Sequence, residues 1–186
     1  RLHYHKLKYV KEYCKLNDLN KLIFDSEKPR IGIISTGKSF LDTKLGLEKI
    51  GINKEVANDI GIKFLKIAMP WPLEETVIEK FAENLDKIIV VEEKRSIIET
   101  QVKEILFNKN LKVKVIGKKD ENSNDLFISS GALDPGEIGL KIYEKIKYLK
   151  LPEDVTNFSM QLKSLTKSTN SNISLKRIPH FLSLIH

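Results

Sequence analysis

Residues 32 to 39 read GIISTGKS and fit the phosphate-binding pattern G-x-x-x-x-G-K-[ST], with Gly32, Gly37, Lys38 and Ser39 at the defined positions. In proteins that use this pattern, backbone N–H groups of a glycine-rich loop face the phosphate oxygens, the lysine reaches the terminal phosphates and the hydroxyl group holds Mg²⁺. The chemistry would be nucleotide hydrolysis. However, Gly32 belongs to the β-branched run IGIIS, so we expect it inside a strand, where too little loop remains to surround a phosphate.

Acidic residues at the end of a second apolar run offer another feature of such hydrolases. In those enzymes a buried strand ends in the Asp that holds Mg²⁺, and here the run IIVV is followed by Glu92 and Glu93, which are a weaker match. A nucleotide hydrolase of the P-loop type therefore stays open as an alternative. Ser35 and Lys38 are the residues of the glycine-lysine segment that we regard as candidates for an anion contact.

Two further stretches could contact another protein domain. Trp71 stands between two prolines in MPWPLE, where it either lines an interface or active-site edge or serves as a packing anchor. Glu92, Glu93, Lys94 and Arg95 follow a strand whose carboxyl end should lie at the binding edge of a parallel sheet. These five residues are interface candidates, and the alternative for the charged run is a solvated strand end.

The charge balance of the chain is basic. Its 186 residues include 32 Lys and Arg against 25 Asp and Glu, which gives a net charge of +7. Such a balance can attract nucleic acid, so a basic nucleic-acid-binding module is the third hypothesis. The lysines are spread over the whole chain and no Arg-rich or aromatic-interleaved strip stands out, so we expect a solvated surface and no nucleic acid partner.

Cysteine usage and hydropathy indicate the compartment. Cys14 is the only cysteine, so neither an internal disulfide nor a cysteine-ligated iron-sulfur cluster can be completed by this chain. No apolar run approaches the length of a membrane span, and the first ten residues lack the apolar stretch of a signal peptide. We expect a cytoplasmic protein with no membrane partner, and the start at Arg1 without Met suggests a piece of a longer chain.

Hydrophobic periodicity predicts an α/β fold. Residues 2 to 20 have helical spacing of apolar residues, and four short β-branched runs each precede a helical or turn-plus-helix segment. This alternation predicts a mainly parallel sheet of about four or five strands with helices on both faces. The predicted strands are 31–35, 62–68, 88–92 and 113–117, and the predicted helices are 39–50, 54–60, 73–86 and 96–107.

The best-marked helix begins at DPGE. Asp134 is a predicted N-cap, Pro135 occupies the first helical position and Glu137 completes a capping box. The residues Ile138, Ile142, Ile146 and Leu149 form the predicted buried stripe. We therefore divide the chain into a connecting helix (1–20), an α/β domain (21–150) and a polar, Ser/Thr/Asn-rich linker or tail (151–186).

Four segments in order, IGIISTGKSFLD, GIKFLKIAMPWPLE, IIVVEEKRSIIETQVKEIL and GALDPGEIG, resemble the central segment of the indolepyruvate ferredoxin oxidoreductases, in particular the long fused bacterial chains. The resemblance covers roughly residues 5 to 150. It implies a domain similar to the C-terminal domain of transketolase, lying between two thiamine-diphosphate-binding domains. In this family the glycine-lysine turn occurs without nucleotide hydrolysis.

The end of the chain departs from the family pattern. Arg177, Pro179 and Phe181 match the segment that leads into a cysteine-containing motif, but Leu182 stands where the first cysteine is expected. The thiamine-diphosphate domain that would follow this motif is not part of the sequence. The resemblance thus implies a chain without catalytic, cofactor-binding or metal-binding residues of its own, which supplies structure and assembly surface.

The resemblance also implies the chemistry of the parent enzyme. Such enzymes decarboxylate a 2-oxoacid, chiefly indolepyruvate or another aryl pyruvate, on thiamine diphosphate with Mg²⁺. Electrons pass through 4Fe-4S clusters to ferredoxin, and an acyl-CoA is released, with CoA as co-substrate. The implied partners are the other domains of the parent oxidoreductase, ferredoxin and a further copy in a homo-oligomer, and the 186-residue chain by itself is expected to be inactive.

Overall fold

The computed structural model describes residues 5–172, and their side chains up to residue 166. Five strands and seven helices occur in this range. In chain order they are α1 Leu7–Leu16, β1 Lys21–Phe24, β2 Ile31–Thr36, α2 Gly37–Lys49, α3 Lys54–Ile60, β3 Ile62–Ile67, α4 Glu75–Ala82, β4 Lys87–Val91, α5 Ile98–Asn108, β5 Lys114–Ile116, α6 Pro135–Ile146 and α7 Glu153–Asn172.

The strands form one sheet in the order β1-β3-β2-β4-β5. The pairs β2–β3, β2–β4 and β4–β5 are parallel, and β1 pairs antiparallel with β3 at the edge. In the central register, Ile33 lies opposite Phe64 on one side and Ile89 on the other. The α/β class and the mainly parallel sheet predicted from the sequence are therefore confirmed.

Helices cover the sheet on both faces and create two apolar cores. Ile31 and Ile33 point to the face covered by α2 and α6, while Ile34 points to the face covered by α4 and α5. This alternation follows from the two-residue period of a strand, and it explains why β2 is buried along its length.

The expected helix over residues 2 to 20 is found but ends at Leu16, and residues 2–4 of its range lie outside the described residues. Within the described residues α1 spans Leu7–Leu16, and the chain then turns at Asp18, which has a φ of 47°. The edge strand β1 follows, and the sequence analysis did not predict it. Four residues with a bulge between Leu22 and Phe24 give too short an alternation for a periodicity signal.

The start and the stripe of α6 agree with the prediction. The Asp134 carboxylate accepts the Glu137 N–H at 3.0 Å, and the four residues of the predicted apolar stripe are buried. The second half of the capping box is replaced by another contact, because the Glu137 carboxylate pairs with Lys141 Nζ at 2.7 Å.

The segment after Pro152 contradicts the expectation of a linker without a packed element. Residues Glu153–Asn172 form α7, which buries Val155 and Ser159 against α6 and α2. A few apolar contacts thus order a helix that its Ser/Thr/Asn-rich composition does not predict. The residues that match or depart from the family motif, Arg177, Pro179, Phe181 and Leu182, lie outside the described residues.

Candidate functional site

The carboxyl ends of the parallel strands meet at one edge of the sheet, where α2 begins and the loop after β4 turns. Lys38 Nζ in the first turn of α2 lies 2.5 Å from Asp42 Oδ2 and 3.5 Å from Glu93 Oε1. These contacts raise the pKa of Lys38, chiefly through the hydrogen bond to Asp42. The contact with Glu93 joins the end of β2 to the end of β4.

The glycine-lysine segment is a strand and a helix with no phosphate-binding loop between them. Gly32 lies inside β2, and a Cβ atom at this position would come within 2.6 Å of Phe81 and Leu85 in the core. The missing side chain of Gly32 therefore allows close packing of α4 on the sheet. The hydroxyl group of Thr36, the N-cap of α2, donates to the Ile67 carbonyl at 2.8 Å. The hydrolase alternative is not favoured by this geometry.

Ser35, the other candidate for an anion contact, is fully buried in β2. Its hydroxyl oxygen has no hydrogen-bond partner among the described residues. Since Ser35 has the same parity as Ile31 and Ile33, its side chain lies on the face that α2 covers. The structure brings Ser35 and Lys38 close along the chain but places one in the interior and the other in solvent.

Glu92 was an interface candidate with a solvated strand end as the alternative, but the structure gives it a buried position. Its side chain is buried, and its two carboxylate oxygens accept the backbone N–H groups of Ile97, Ile98 and Glu99 at 2.9 to 3.0 Å. A carboxylate at this place satisfies amide groups that have no partner inside α5 and complements the positive end of the helix dipole. Glu92, one of the interface candidates, therefore stabilises the start of α5.

Glu93, Lys94 and Arg95 form the turn between β4 and α5. Glu93 is half-buried beside Lys38, and Lys94 and Arg95 are exposed. Lys94 has a φ of 51°, in the left-handed region that tight turns use. The three side chains therefore differ in environment, and the two cations are the ones presented to solvent.

Trp71 lies beside this turn with half of its surface exposed. The link is Gln101 of α5, whose side-chain amide donates to the carbonyls of Pro70 at 2.8 Å and Ile97 at 2.9 Å. Its side-chain oxygen accepts the N–H of Leu73 at 2.8 Å. Gln101 therefore holds the Trp71 turn next to Ile97, which is also half exposed.

Lys118 connects the loop after β5 to the same edge. Its Nζ donates to the Glu92 carbonyl at 2.5 Å, and burial lowers its pKa. The buried Glu99 carboxylate accepts the Lys118 N–H at 2.9 Å, and a Cβ atom at Gly117 would collide with that carboxylate. Lys118 follows a predicted parallel strand, and this position could have indicated from the sequence that it lies at the carboxyl edge. No sequence pattern indicates the hydrogen bonds of Gln101.

We use the name carboxyl-edge surface for the exposed and half-exposed residues Lys38, Trp71, Glu93, Lys94, Arg95 and Ile97. The set contains two large apolar side chains and four charged ones. The backbone beneath them is fixed by hydrogen bonds that the Gln101 amide donates and the Glu92 carboxylate accepts.

Neither a cluster of metal-binding side chains nor a membrane-crossing helix is found among the described residues. Between residues 5 and 172 no three or more His, Cys, Asp and Glu side chains gather as they would to hold a metal. No helix within this range combines the length and the apolar character that a membrane-crossing segment requires.

Comparison with known proteins defines the class to which this α/β domain belongs. The family model described as the indolepyruvate oxidoreductase domain matches residues 21–171. The chain therefore belongs to the indolepyruvate oxidoreductase domain family, as the sequence resemblance predicted. The matched region includes α7 up to its last residue but one, and it excludes α1.

Curated relatives show the same relationship. The chain is 33% identical over 92 residues to the indolepyruvate oxidoreductase subunit IorA of Pyrococcus horikoshii. This alignment covers 50% of the chain and 13% of that protein. It is 27% identical over 153 residues to the subunit IorA of Methanothermobacter marburgensis. This second alignment covers 80% of the chain and 24% of that protein. The matched segments thus make up less than a quarter of the length of these relatives.

Two solved structures are similar to the chain at low identity. One is the 2-oxoglutarate:ferredoxin oxidoreductase from Magnetococcus marinus, with 16% identity, a TM-score of 0.47 and coverage of 76% of this chain and 23% of that one. The other is a split-gene transketolase described as an inactive β4 tetramer, with 12% identity, a TM-score of 0.46 and coverage of 69% and 41%.

Proposed function

We propose that this chain is a non-catalytic structural and assembly domain of a 2-oxoacid:ferredoxin oxidoreductase that acts on indolepyruvate or other aryl pyruvates. The observation that carries the proposal is the match of the indolepyruvate oxidoreductase domain to residues 21–171. We place the parent enzyme in the cytoplasm, as a homo-oligomer that passes electrons to ferredoxin.

The cofactors of the proposed parent belong to other parts of it. One cysteine, Cys14, cannot supply the four thiolates of a 4Fe-4S cluster. Thiamine diphosphate would supply the decarboxylation chemistry and CoA would accept the acyl group, and in our proposal neither is bound by residues of this chain.

The proposed contribution of this chain is the carboxyl-edge surface. Trp71 and Ile97 would pack into an apolar depression of a neighbouring domain, and Lys94 and Arg95 would meet carboxylates on its border. Rigid support favours such a role, because Gln101 fixes the Trp71 turn and the side chains need little reorganisation on contact.

Charge reversal in the full-length oxidoreductase tests this proposal. Arg95→Glu should impair assembly and the thiamine-diphosphate-dependent reduction of a dye with indolepyruvate, while Glu55→Lys, an exposed reversal on α3, should leave both unchanged. The same Arg95→Glu change should shift the melting temperature of the 186-residue chain little, because exposed substitutions cost within about 0.5 kcal/mol.

Two results would contradict the proposal in different ways. A full-length wild-type protein without 2-oxoacid-dependent turnover, when loaded with thiamine diphosphate and reconstituted clusters, would remove the proposed enzyme. An Arg95→Glu enzyme that assembles and turns over like the wild type would keep the enzyme and remove the role of the carboxyl-edge surface. The 186-residue chain should show no turnover with the same additions.

A further inference from the structure

Helix α1 carries apolar residues on two opposite sides. Leu7 and Cys14 lie on the side that faces the domain, and Tyr9, Tyr13 and Leu16 repeat with the same i, i+4, i+7 type of spacing on the other side. A helix at the surface of a single domain normally has one apolar stripe and a polar opposite face. Two opposed stripes are the pattern of a helix that lies between two bodies.

The inner side of α1 is anchored to the domain by specific contacts. Cys14 is buried, and its sulfur lies 3.5 Å from the side-chain nitrogen of Asn20. The Asn20 side-chain oxygen accepts the N–H of Ala68 at the end of β3, at 2.9 Å. Lys11 Nζ pairs with Glu75 in the first turn of α4. These contacts fix which side of α1 points outward.

The outer stripe is open to solvent. The exposed fractions are 71% for Tyr9, 62% for Tyr13 and 76% for Leu16. Three large side chains in one row form a continuous apolar ridge, which differs from the single exposed apolar residues found on most surfaces. Exposed lysines surround the ridge at positions 6, 8 and 15, against one exposed carboxylate at position 12.

Helix α1 precedes the segment that the family model matches. The family match begins at residue 21, after α1, and the matched segments make up 13% to 24% of the curated relatives. Most of such a protein is therefore other domains, and α1 lies at the border of this one. The basic surroundings of the ridge favour a partner with an apolar patch bordered by carboxylates.

We propose that the outer face of α1 docks onto a neighbouring domain of the same oxidoreductase chain, through Tyr9, Tyr13 and Leu16. This inference rests on the proposed function, in which the chain is one domain of a multidomain enzyme. It concerns residues of α1, none of which belongs to the carboxyl-edge surface, and the variants that test it differ from Arg95→Glu.

Thiol labelling in the full-length protein and in the 186-residue chain tests the docking. Tyr9→Cys and Tyr13→Cys place thiols on the ridge, Lys44→Cys on the exposed side of α2 is the control away from α1, and the wild type reports the background from buried Cys14. In the 186-residue chain the three new thiols should react with a maleimide at similar rates. In the full-length protein the two ridge thiols should react roughly tenfold slower, and the control thiol should change much less.

Hydrogen exchange on unmutated protein covers the case in which a substitution itself breaks the docking. The amides of α1 should exchange more slowly in the full-length protein than in the 186-residue chain. Equal exchange and equal labelling in both proteins would overturn the proposal. Protection in the 186-residue chain that grows with its concentration would identify a second copy as the occupant of the ridge. Protection only with phosphatidylglycerol vesicles would identify a membrane as the occupant. Either result would also overturn the proposal. None of these measurements depends on catalytic turnover, which separates this outcome from that of the proposed function.

Discussion

Gly46 of α2 and Gly139 of α6 meet backbone to backbone, and no side chain separates the two helices at this point. A Cβ atom at Gly46 would lie 2.5 Å from the Pro135 carbonyl oxygen and 3.0 Å from the Gly139 nitrogen. A Cβ atom at Gly139 would in turn collide with the Gly46 carbonyl. This close approach fixes α6 on α2, and α2 is the helix that carries Lys38 to the carboxyl edge.

Substitution of Gly46 by alanine should therefore destabilise the fold. Alanine in a helix interior normally stabilises a protein by about 1 kcal/mol relative to glycine. For Gly46→Ala we expect instead a loss of about 1–3 kcal/mol in the unfolding free energy, because the added methyl group collides with α6. Urea denaturation of the 186-residue chain measures it. Lys44→Ala on the exposed side of the same helix is the control and should change the unfolding free energy little. A stabilised Gly46→Ala variant would mean that the helices do not touch here.

The sequence predicted those parts of the fold that local patterns determine. All four parallel strands are β-branched runs bounded by turns, and α6 begins at an Asp-Pro cap, so β2, β3, β4, β5 and the start of α6 agree with expectation. The elements that were not predicted lack such patterns. The strand β1 has four residues and a bulge, and α7 is ordered by a few contacts, such as Phe158 packing against Gly51, that no local composition reveals.

The candidate site was predicted in part for the same reason. A charged run after a buried strand indicates the carboxyl edge, and Lys38, Glu93, Lys94 and Arg95 are indeed found there. The sequence does not distinguish Glu92 from its neighbour, because the difference arises from three amide groups that α5 brings to one carboxylate. Hydrogen bonds between distant segments are therefore the part that sequence patterns could not supply.

Two adjacent carboxylates should respond differently to truncation. Glu92→Ala leaves three backbone N–H groups at the start of α5 without their acceptor, two of them buried, so we expect a loss of about 1–3 kcal/mol in the unfolding free energy. Glu93→Ala removes only a half-exposed ion pair at 3.5 Å, and its effect should stay within about 0.5 kcal/mol. Denaturant titrations of both variants make the comparison. Equal losses would show that α5 does not depend on the Glu92 carboxylate.

A network of partly exposed charges should make stability depend on acid pH. Lys145 Nζ lies 3.0 Å from Asp120 and 2.9 Å from Glu121, and Lys87 also pairs with Glu121. The hydrogen bond from Lys145 lowers the pKa of Asp120 to about 2. Burial opposes the shift at Glu121, but the bonds from Lys87 and Lys145 lower its pKa to about 2 as well.

The sign of the pH effect follows from these directions. Because both carboxyl groups have folded pKa values below the ordinary values of 3.8 and 4.5, their contribution to stability is present at neutral pH and is lost as the pH falls from about 4.5 toward 2. Lys145→Met should therefore lower the unfolding free energy at neutral pH and converge with the wild type near pH 2. Urea titrations across this range measure both curves.

An exposed pair elsewhere in the same loop provides the control. Lys119 Nζ lies 2.8 Å from Asp125, and more than half of each side chain is exposed, so solvent screens this pair. Lys119→Met should leave the pH dependence of stability nearly unchanged. If Lys119→Met and Lys145→Met change the pH dependence of stability equally, the ion pairs of Lys145 with Asp120 and Glu121 are not what links this loop to α6.

The glycine-lysine segment should neither bind nucleotides nor tolerate a side chain at Gly32. A ligand at a hundred times its dissociation constant stabilises a protein by about 2.7 kcal/mol, so ATP or GTP with Mg²⁺ would raise the melting temperature visibly if it bound. We expect no shift, because Gly32 lies inside β2 with Phe81 and Leu85 against it. Gly32→Ala should lower the melting temperature without nucleotide, because the added methyl group would collide with Phe81 and Leu85. A phosphate-binding glycine would instead face solvent and accept the methyl group more easily. Lys38→Ala should leave the response to nucleotide at zero. A nucleotide-dependent rise that Lys38→Ala abolishes would restore the hydrolase hypothesis and contradict the strand assignment of Gly32.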